Sequence, residues 1–233
     1  MTEKHRVVVL LSGGLDSAVN LHMAREKASP VLCLTFDYGQ RAARREIEAA
    51  RRLSKHYGVK HRVIKLDWLK RLTSAPIVRR GARLPHPEED ELDDIEGAAR
   101  ETARLVWVPN RNAVFINIAA AFAEAMDCDG VVVGFNAEEG ATFPDNSREF
   151  LKAANDALRY STLRGVKVIC YTSRMKKTGI MRLAKKQGVP LNLVWYCYEG
   201  GRVPCRRCES CVRFERALRQ SNCWNWYREL CKR

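Results

Sequence analysis

RVVVLLSGGLDS, the segment at residues 6–17, decides the fold. From Arg6 to Leu11 the chain is almost continuously apolar, which is typical of a strand buried on both faces of a parallel sheet. Two glycines follow, and a helical pattern then runs from Asp16 to about Arg25. A buried strand, a glycine-rich turn and a helix in this order predict an α/β protein.

The turn between this strand and helix predicts an anion site. Glycines allow a tight turn, after which backbone amides and the helix N-terminus point at phosphate oxygens. Serine hydroxyls add donors, whereas the Asp16 carboxylate would hold Mg²⁺ or order the loop. The predicted phosphate-binding residues are Ser12, Gly13, Gly14, Asp16 and Ser17. The alternative is a plain capped turn, and the segment matches neither the Walker pattern nor the dinucleotide fingerprint.

Further strands and helices alternate along the chain. Apolar runs predict strands at 31–36, 61–66, 130–134 and 166–170, and helical spacing predicts helices at 41–57, 111–126, 148–160 and 176–187. This alternation predicts a Rossmann-like parallel sheet with helices on both faces. We expect an irregular loop at about 74–105, an α/β domain over residues 1–190, and a small C-terminal zinc-binding and helical segment over 191–233.

Composition narrows the class of protein. The chain has 233 residues, of which 46% are apolar and 29% charged, which is typical of a globular protein. The formal charge of +14 favours a basic surface around an anion site over a nucleic acid partner. No apolar run is long enough for a membrane span and the N-terminus lacks a signal-like stretch, so we expect a cytoplasmic protein.

Four of the nine cysteines lie close together near the C-terminus. Cys197, Cys205, Cys208 and Cys211 follow the spacing C-x7-C-x2-C-x2-C. Each C-x2-C pair can reach one tetrahedral ion, and four thiolates leave no open position for water. The spacing therefore predicts a structural Zn²⁺ site. Free or redox-active cysteines and an iron–sulfur cluster are the alternatives.

A polar segment, FDYGQR at residues 36–41, follows the second predicted strand. Ligands of open α/β sheets bind at the carboxyl ends of the strands. Tyr38, Gln40 and Arg41 are therefore predicted to line the nucleotide or substrate site. A turn with a helix cap is the alternative.

Together with VPNRN (residues 108–112), FPDNSREF (143–150) and Lys177, these segments resemble the 7-cyano-7-deazaguanine synthase family over nearly the whole chain. The loop SGGLDS resembles the pyrophosphate loop of the ATP-pyrophosphatase (PP-loop) superfamily, which implies an adenine nucleotide alpha hydrolase-like fold. The resemblance implies a homodimeric ligase that uses ATP and Mg²⁺. It would convert 7-carboxy-7-deazaguanine and free ammonia to an amide, and then to the nitrile precursor of queuosine.

The resemblance also implies roles for particular residues. Arg111 can pair with the substrate carboxylate or a phosphate, and Asn112 can hydrogen-bond the reacting oxygen. Phe143 and Asp145 would contact the substrate, with Asp145 accepting from a guanine-like amine and ring nitrogen. Lys177 would neutralise phosphate charge, so that the catalytic set is Asp16, Arg111, Asn112 and Lys177. A surface arginine and a solvated lysine are the alternatives for Arg111 and Lys177.

Three positions depart from the pattern that the family usually has. Asn110 takes the place of a glycine, Asn146 that of a cysteine, and Gly179 that of a glutamate. These departures leave open a ligase that activates a different carboxylate or deazapurine. They also leave open a tRNA-modifying PP-loop enzyme and a non-catalytic nucleotide-binding partner.

Overall fold

A computed structural model describes residues 4–232, so the ends of the predicted ranges, residues 1–3 and 233, lie outside it. Its centre is a five-stranded sheet in the order β3-β2-β1-β4-β5, with every neighbouring pair parallel. The strands are β1 (Arg6–Leu10), β2 (Ser29–Asp37), β3 (Lys60–Lys65), β4 (Gly130–Val132) and β5 (Lys167–Ile169). The predicted α/β fold with a parallel sheet is confirmed.

Ten α-helices connect and flank these strands within residues 4–232. They are α1 (Leu15–Lys27), α2 (Ala43–His56), α3 (Asp67–Arg71), α4 (Ala98–Leu105), α5 (Arg111–Ala125), α6 (Ala137–Gly140), α7 (Arg148–Ser161), α8 (Lys177–Gln187), α9 (Glu209–Gln220) and α10 (Trp224–Cys231). The segment expected to be irregular, 74–105, contains α4 and a 3-10 turn at Glu91–Asp93. The Asp94 carboxylate accepts hydrogen bonds from Gly97 N and Ala98 N at 3.0 and 2.9 Å, which satisfies amides at the start of α4.

Helices cover both faces of the sheet. Val8 of β1 belongs to one apolar cluster, which includes buried residues of α5 and α7. Its neighbours Val7 and Val9 belong to another, which includes residues of α1, α2, α8 and α9. Successive side chains of a strand point to opposite faces, so a strand covered on both faces is apolar throughout. This explains the continuous apolar run of β1.

The C-terminal segment packs against the sheet domain. Phe214, Ala217 and Leu218 of α9 are buried in the cluster that contains α1 and β1, and Cys223 joins them. Residues 191–232 therefore share a hydrophobic core with the strands. Within residues 4–232, no helix has the length and apolar character needed to cross a membrane.

Candidate active site

The strand order places the glycine-rich loop after β1, where the order in which strands are added to the sheet reverses. The chain runs outward from β1 through β2 to β3, whereas β4 and β5 lie on the other side of β1. The loops after β1 and β4 therefore diverge at their carboxyl ends, which is where open α/β sheets bind ligands.

The loop Ser12–Ser17 is shaped by backbone contacts that only glycine permits. Gly13 has φ +86°, and a Cβ there would lie 2.7 Å from Glu46 O and 2.9 Å from Ala49 Cβ. Gly14 is the N-cap residue of α1, so no side chain at this position accepts hydrogen bonds from the first amides of the helix. Ser17 Oγ lies 3.1 Å from both Gly14 O and Ser12 Oγ. The loop thus presents a helix N-terminus and two hydroxyl groups, the features expected of a phosphate site.

The loop after β4 lies against this helix N-terminus. A Cβ on Gly134 would lie 2.7 Å from Ser17 N and 2.8 Å from Ser17 Cα. Only a residue without a side chain allows β4 and the first turn of α1 to approach this closely. The two loops are thereby held in one fixed arrangement.

A buried lysine joins the loops that follow β1, β4 and β5. Lys177 Nζ lies 2.9 Å from Asp16 Oδ2 and 2.8 Å from Glu139 Oε1. The other carboxylate oxygen, Asp16 Oδ1, is buried and has no hydrogen-bond partner within residues 4–232. An uncompensated oxygen of this kind fits a hard cation such as Mg²⁺.

Burial and charge act on these three groups in opposite directions. Burial raises the pKa of Asp16 above its usual value, although Lys177 lowers it. Burial also disfavours the charged lysine, but Asp16 and Glu139 raise the pKa of Lys177 above its ordinary value. The pKa of Glu139 is lowered because Lys177 and nearby arginines outweigh the effect of burial. The cluster therefore holds a firmly protonated lysine between two carboxyl groups.

Arg111 begins α5 on the other side of the cavity. Its Nη1 donates to Tyr38 Oη at 2.9 Å, and its guanidinium carbon lies 5.5 Å from the centroid of the Tyr38 ring. The residue before it, Asn110, has φ +56° and ψ +23°, a left-handed conformation that asparagine adopts more readily than most residues. Asn112 Nδ2 donates to Asp145 O at 3.2 Å, which ties α5 to the loop before α7.

These groups face one cavity of about 240 Å³. Nine of the residues predicted from the sequence line it: Ser12, Gly14, Asp16, Ser17, Tyr38, Arg111, Asn112, Phe143 and Lys177. Cys197, predicted as a metal ligand, also lines it. The structure therefore brings the predicted phosphate, catalytic and substrate residues together from five separate segments of the chain.

Other predicted residues lie behind the cavity wall. Gln40 is buried, and its side chain bonds Tyr38 N, Phe36 O and Glu46 Oε2 at 2.8–3.0 Å. Arg41 pairs with Glu199 at 3.0 Å and donates to the carbonyl oxygens of residues 79 and 82. Neither side chain is part of the lining, so both contact the protein where we predicted contact with a ligand.

Gly13 and Asp145 also lie outside the lining. Gly13 acts through its backbone, because its carbonyl oxygen accepts from Trp195 N at 2.9 Å. Asp145 is buried, and burial raises the pKa of its carboxyl group against the lowering effect of Arg111. Asp145 thus supports Asn112 from behind through its backbone oxygen.

Several lining residues were not predicted from the sequence. Glu46, Glu139, Phe115, Trp195 and Tyr198 all face the cavity. For Glu139 a signal was available, because it follows β4 at the carboxyl edge of the sheet. Glu46 lies in a charged stretch of α2 in which no pattern distinguishes it from its neighbours.

Behind Lys177 lies a second set of buried charges, contributed by α6 and α9. Glu138 Oε2 accepts from Lys177 N at 2.7 Å, and its Oε1 lies 2.6 Å from Arg216 Nη2. Arg216 also pairs with Asp93 at 2.9 Å. Arg213 pairs with Glu209 at 2.9 Å, and both side chains are buried. These pairs anchor the start of α8 to α9.

The four clustered cysteines lie at the start of α9 and in the loop before it. Their Sγ atoms all lie within 4.8 Å of one another, and those of Cys205 and Cys211 are 3.9 Å apart. Sulfur atoms bound to one tetrahedral zinc ion lie about 3.8 Å apart. The donor set and its spacing can therefore hold a metal ion.

The parallel sheet, the glycine loop at its switch point and the charged cavity define an open α/β protein with a candidate anion-binding site at the carboxyl ends of its strands. Comparison with known proteins gives the family. The family model described as "Queuosine biosynthesis protein QueC" matches residues 6–222. The chain is 58% identical over 214 residues to a protein of Pelotomaculum thermopropionicum named 7-cyano-7-deazaguanine synthase, with 92% of this chain and 96% of that one covered. The chain therefore belongs to the QueC family.

Further relatives and a solved structure are also similar. A 7-cyano-7-deazaguanine synthase of Desulforamulus reducens is 52% identical, covering 91% of this chain and 92% of that one. One from Bdellovibrio bacteriovorus is 48% identical, covering 95% and 96%. A 4-thiouridine synthetase in complex with RNA and ATP is similar at a TM-score of 0.47 and 20% identity, covering 98% of this chain and 53% of that one. The resemblance inferred from the sequence segments is confirmed by the family match.

Proposed function

We propose that this protein is a 7-cyano-7-deazaguanine synthase. In two ATP-dependent steps it converts 7-carboxy-7-deazaguanine and ammonia to the nitrile. In the first, the carboxylate attacks ATP, pyrophosphate leaves, and ammonia displaces AMP to give the amide. In the second, the amide oxygen attacks another ATP and pyrophosphate leaves; the amide nitrogen then loses its two protons as the oxygen departs with AMP, which gives the nitrile. Family membership supports this activity for the chain.

The observation that carries the proposal is the joining of Asp16, Lys177 and Glu139 in one cavity with the loop Ser12–Ser17 and Arg111. The loop amides would bind the phosphates, and Lys177 would neutralise charge on the departing pyrophosphate. Asp16 Oδ1 would bind Mg²⁺, which supplies further positive charge at the phosphates when bound.

On the acid side of the cavity, Arg111 would bind the substrate carboxylate. Its hydrogen bond to Tyr38 fixes one edge of the guanidinium and leaves other donors for a bidentate pair. Asn112 would donate to the oxygen that accepts AMP, and Phe143 would contact the ring. Asp145 supports this side through Asn112.

Four further parts belong to the proposal. The metal of Cys197, Cys205, Cys208 and Cys211 is a structural Zn²⁺, because four thiolates complete a tetrahedral shell. Free ammonia is the nitrogen donor, and the protein works in the cytoplasm as a homodimer. Exposed apolar side chains such as Trp68 and Leu72 support self-association, which light scattering tests.

Mass spectrometry of the products tests the proposed reaction. Incubation with ATP, Mg²⁺, ammonium and 7-carboxy-7-deazaguanine is expected to give the nitrile and two AMP per turnover. Arg111→Lys keeps the charge but loses the planar fork, so kcat/KM for the acid should fall about 100-fold or more. Arg44→Lys, an exposed arginine on α2, is the matched control. An absence of both amide and nitrile with the wild-type protein would refute the proposal.

A further inference from the structure

The cavity contains a carboxylate that the reaction as described does not use. Three carboxylate side chains line it within residues 4–232: Asp16, Glu46 and Glu139. Asp16 and Glu139 share Lys177, whereas Glu46 has no lysine or arginine nitrogen within 4 Å in that part of the chain. Glu46 is half-buried, and carboxylates withdrawn from water are normally paired or hydrogen-bonded. Glu46 therefore lacks a cationic partner, and a ligand with N–H donors could take that place.

Glu46 is nevertheless held in a fixed position. Gln40 Nε2 donates to Glu46 Oε2 at 2.8 Å, and the same amide bonds Phe36 O and Tyr38 N at 3.0 Å. The carboxylate is thus fastened to the backbone at the end of β2. Its second oxygen, Oε1, receives no hydrogen bond from residues 4–232. A positioned carboxylate with one free oxygen is a recognition element for N–H donors.

An aromatic wall lies beside this carboxylate. The rings of Phe36 and Phe115 stack at 4.2 Å with an interplanar angle of 9°, and the Tyr38 ring lies 5.7 Å from that of Phe115. All three side chains line the cavity. Flat apolar walls next to one polar group are typical of sites for planar heterocycles.

Burial strengthens the case for a donor at this position. It raises the pKa of the Glu46 carboxyl group, and the Gln40 hydrogen bond and the Arg111 charge offset this only in part. Ligand N–H groups that bond Oε1 would stabilise the charged carboxylate. The gain in binding is larger at such a site than at an exposed one.

On the basis of the proposed function, we propose that Glu46 is the specificity residue that binds the N–H edge of the 7-deazaguanine ring. That edge carries two neighbouring donors, the ring N–H and the exocyclic amine, which suit a carboxylate. Adenine has an acceptor nitrogen next to its amine, so a carboxylate there would meet a lone pair. Arg111 then binds the opposite end of the acid, and the ring spans the space between them.

Calorimetry with the whole protein tests this assignment. Glu46→Gln keeps the shape of the side chain and an acceptor for Gln40 but removes the charge. The dissociation constant of 7-carboxy-7-deazaguanine should rise about 10- to 100-fold, as expected when a charge-assisted hydrogen bond is lost. The dissociation constant of ATP and the KM of ammonium should stay within about 2-fold. Glu48→Gln, on an exposed carboxylate of the same helix, should bind the acid as the wild type does.

An analogue of the acid without the exocyclic amine provides a test that does not depend on the variant's folding. The wild-type protein should bind it about 10-fold or more weakly than the acid, and Glu46→Gln should discriminate less between the two. Equal binding of the acid by wild type and Glu46→Gln would overturn the assignment, as would equal binding of acid and analogue by the wild type. Weaker ATP or ammonium binding in place of weaker acid binding would assign the carboxylate to those ligands and overturn it too. A wild-type protein that does not bind the acid at all would refute the proposed function itself.

Discussion

Replacing Lys177 by methionine should destabilise the protein strongly at neutral pH. Methionine keeps the length and apolar volume of the side chain but removes the charge between Asp16 and Glu139. At 2.9 Å and an effective dielectric constant of about 20, one such pair has a gross attraction of about 6 kcal/mol. Desolvation offsets most of this. Removing one partner of a buried pair costs about 3–5 kcal/mol, because the other charge stays buried.

The pH dependence of this loss has a definite sign. Lys177 lowers the pKa of both Asp16 and Glu139, so its removal raises their pKa values in the folded state. When the pKa of a carboxyl group is raised in the folded state, the free energy of unfolding falls as the pH rises through that pKa. The deficit of Lys177→Met relative to the wild type should therefore be largest near pH 8 and shrink toward pH 5.

Thermal and urea unfolding at pH 8 and pH 5 measure both effects. For a chain of this size, a loss of 3–5 kcal/mol lowers the melting temperature by about 10 °C. The combined variant Lys177→Met/Asp16→Asn/Glu139→Gln, in which the unpaired charges are removed, should recover much of the stability but no activity. An unchanged melting temperature of Lys177→Met at pH 8 would refute the reasoning, because the lysine would then contribute no net stabilisation.

Three further changes have expected outcomes. Cys211→Ser should lower bound zinc from one ion per chain, measured by elemental analysis, and should lower the melting temperature; an unchanged zinc content would exclude this site. Asn110→Gly should change the unfolding free energy by less than about 0.5 kcal/mol, whereas Asn110→Val should cost about 1–2 kcal/mol because φ is +56°; equal values would contradict the strain argument. Gly134→Ala should cost about 1–3 kcal/mol in urea unfolding because of the close contact with Ser17, and more than Gly201→Ala, where a Cβ would make only an ordinary contact of 3.5 Å with Val203 O.

Much of the fold could be predicted because local pattern and tertiary environment agree. The run Val7–Leu11 is apolar because helices cover both faces of β1, and a continuous apolar run in the sequence predicts this burial. The place of the loop Ser12–Ser17 between β1 and α1 could be predicted because two glycines separate a buried strand from a helix; its binding of phosphate stays a prediction. The 98–105 helix was missed because it is short, and it lies in a stretch whose prolines and acidic residues resemble a loop.

The direction of individual side chains after β2 could not be predicted. Tyr38, Gln40 and Arg41 are closely spaced polar candidates, yet only Tyr38 lines the cavity. Arg41 turns away because the carbonyl oxygens of residues 79 and 82 and the Glu199 carboxylate satisfy its donors. These partners come from segments that are distant in sequence, and the local sequence does not predict where those segments lie.

The same limit applies to the C-terminal segment, which we expected to be a small zinc-binding and helical segment added to the α/β domain. Trp195 N donates to Gly13 O at 2.9 Å, and Trp195 Nε1 donates to Cys197 O at 2.7 Å. The backbone of the predicted metal ligand Cys197 is therefore two hydrogen bonds away from the glycine loop Ser12–Ser17. A metal ion that fixed Cys197 would also restrain the carbonyl group of Gly13, so under the proposed function a structural metal would affect nucleotide binding without touching the nucleotide.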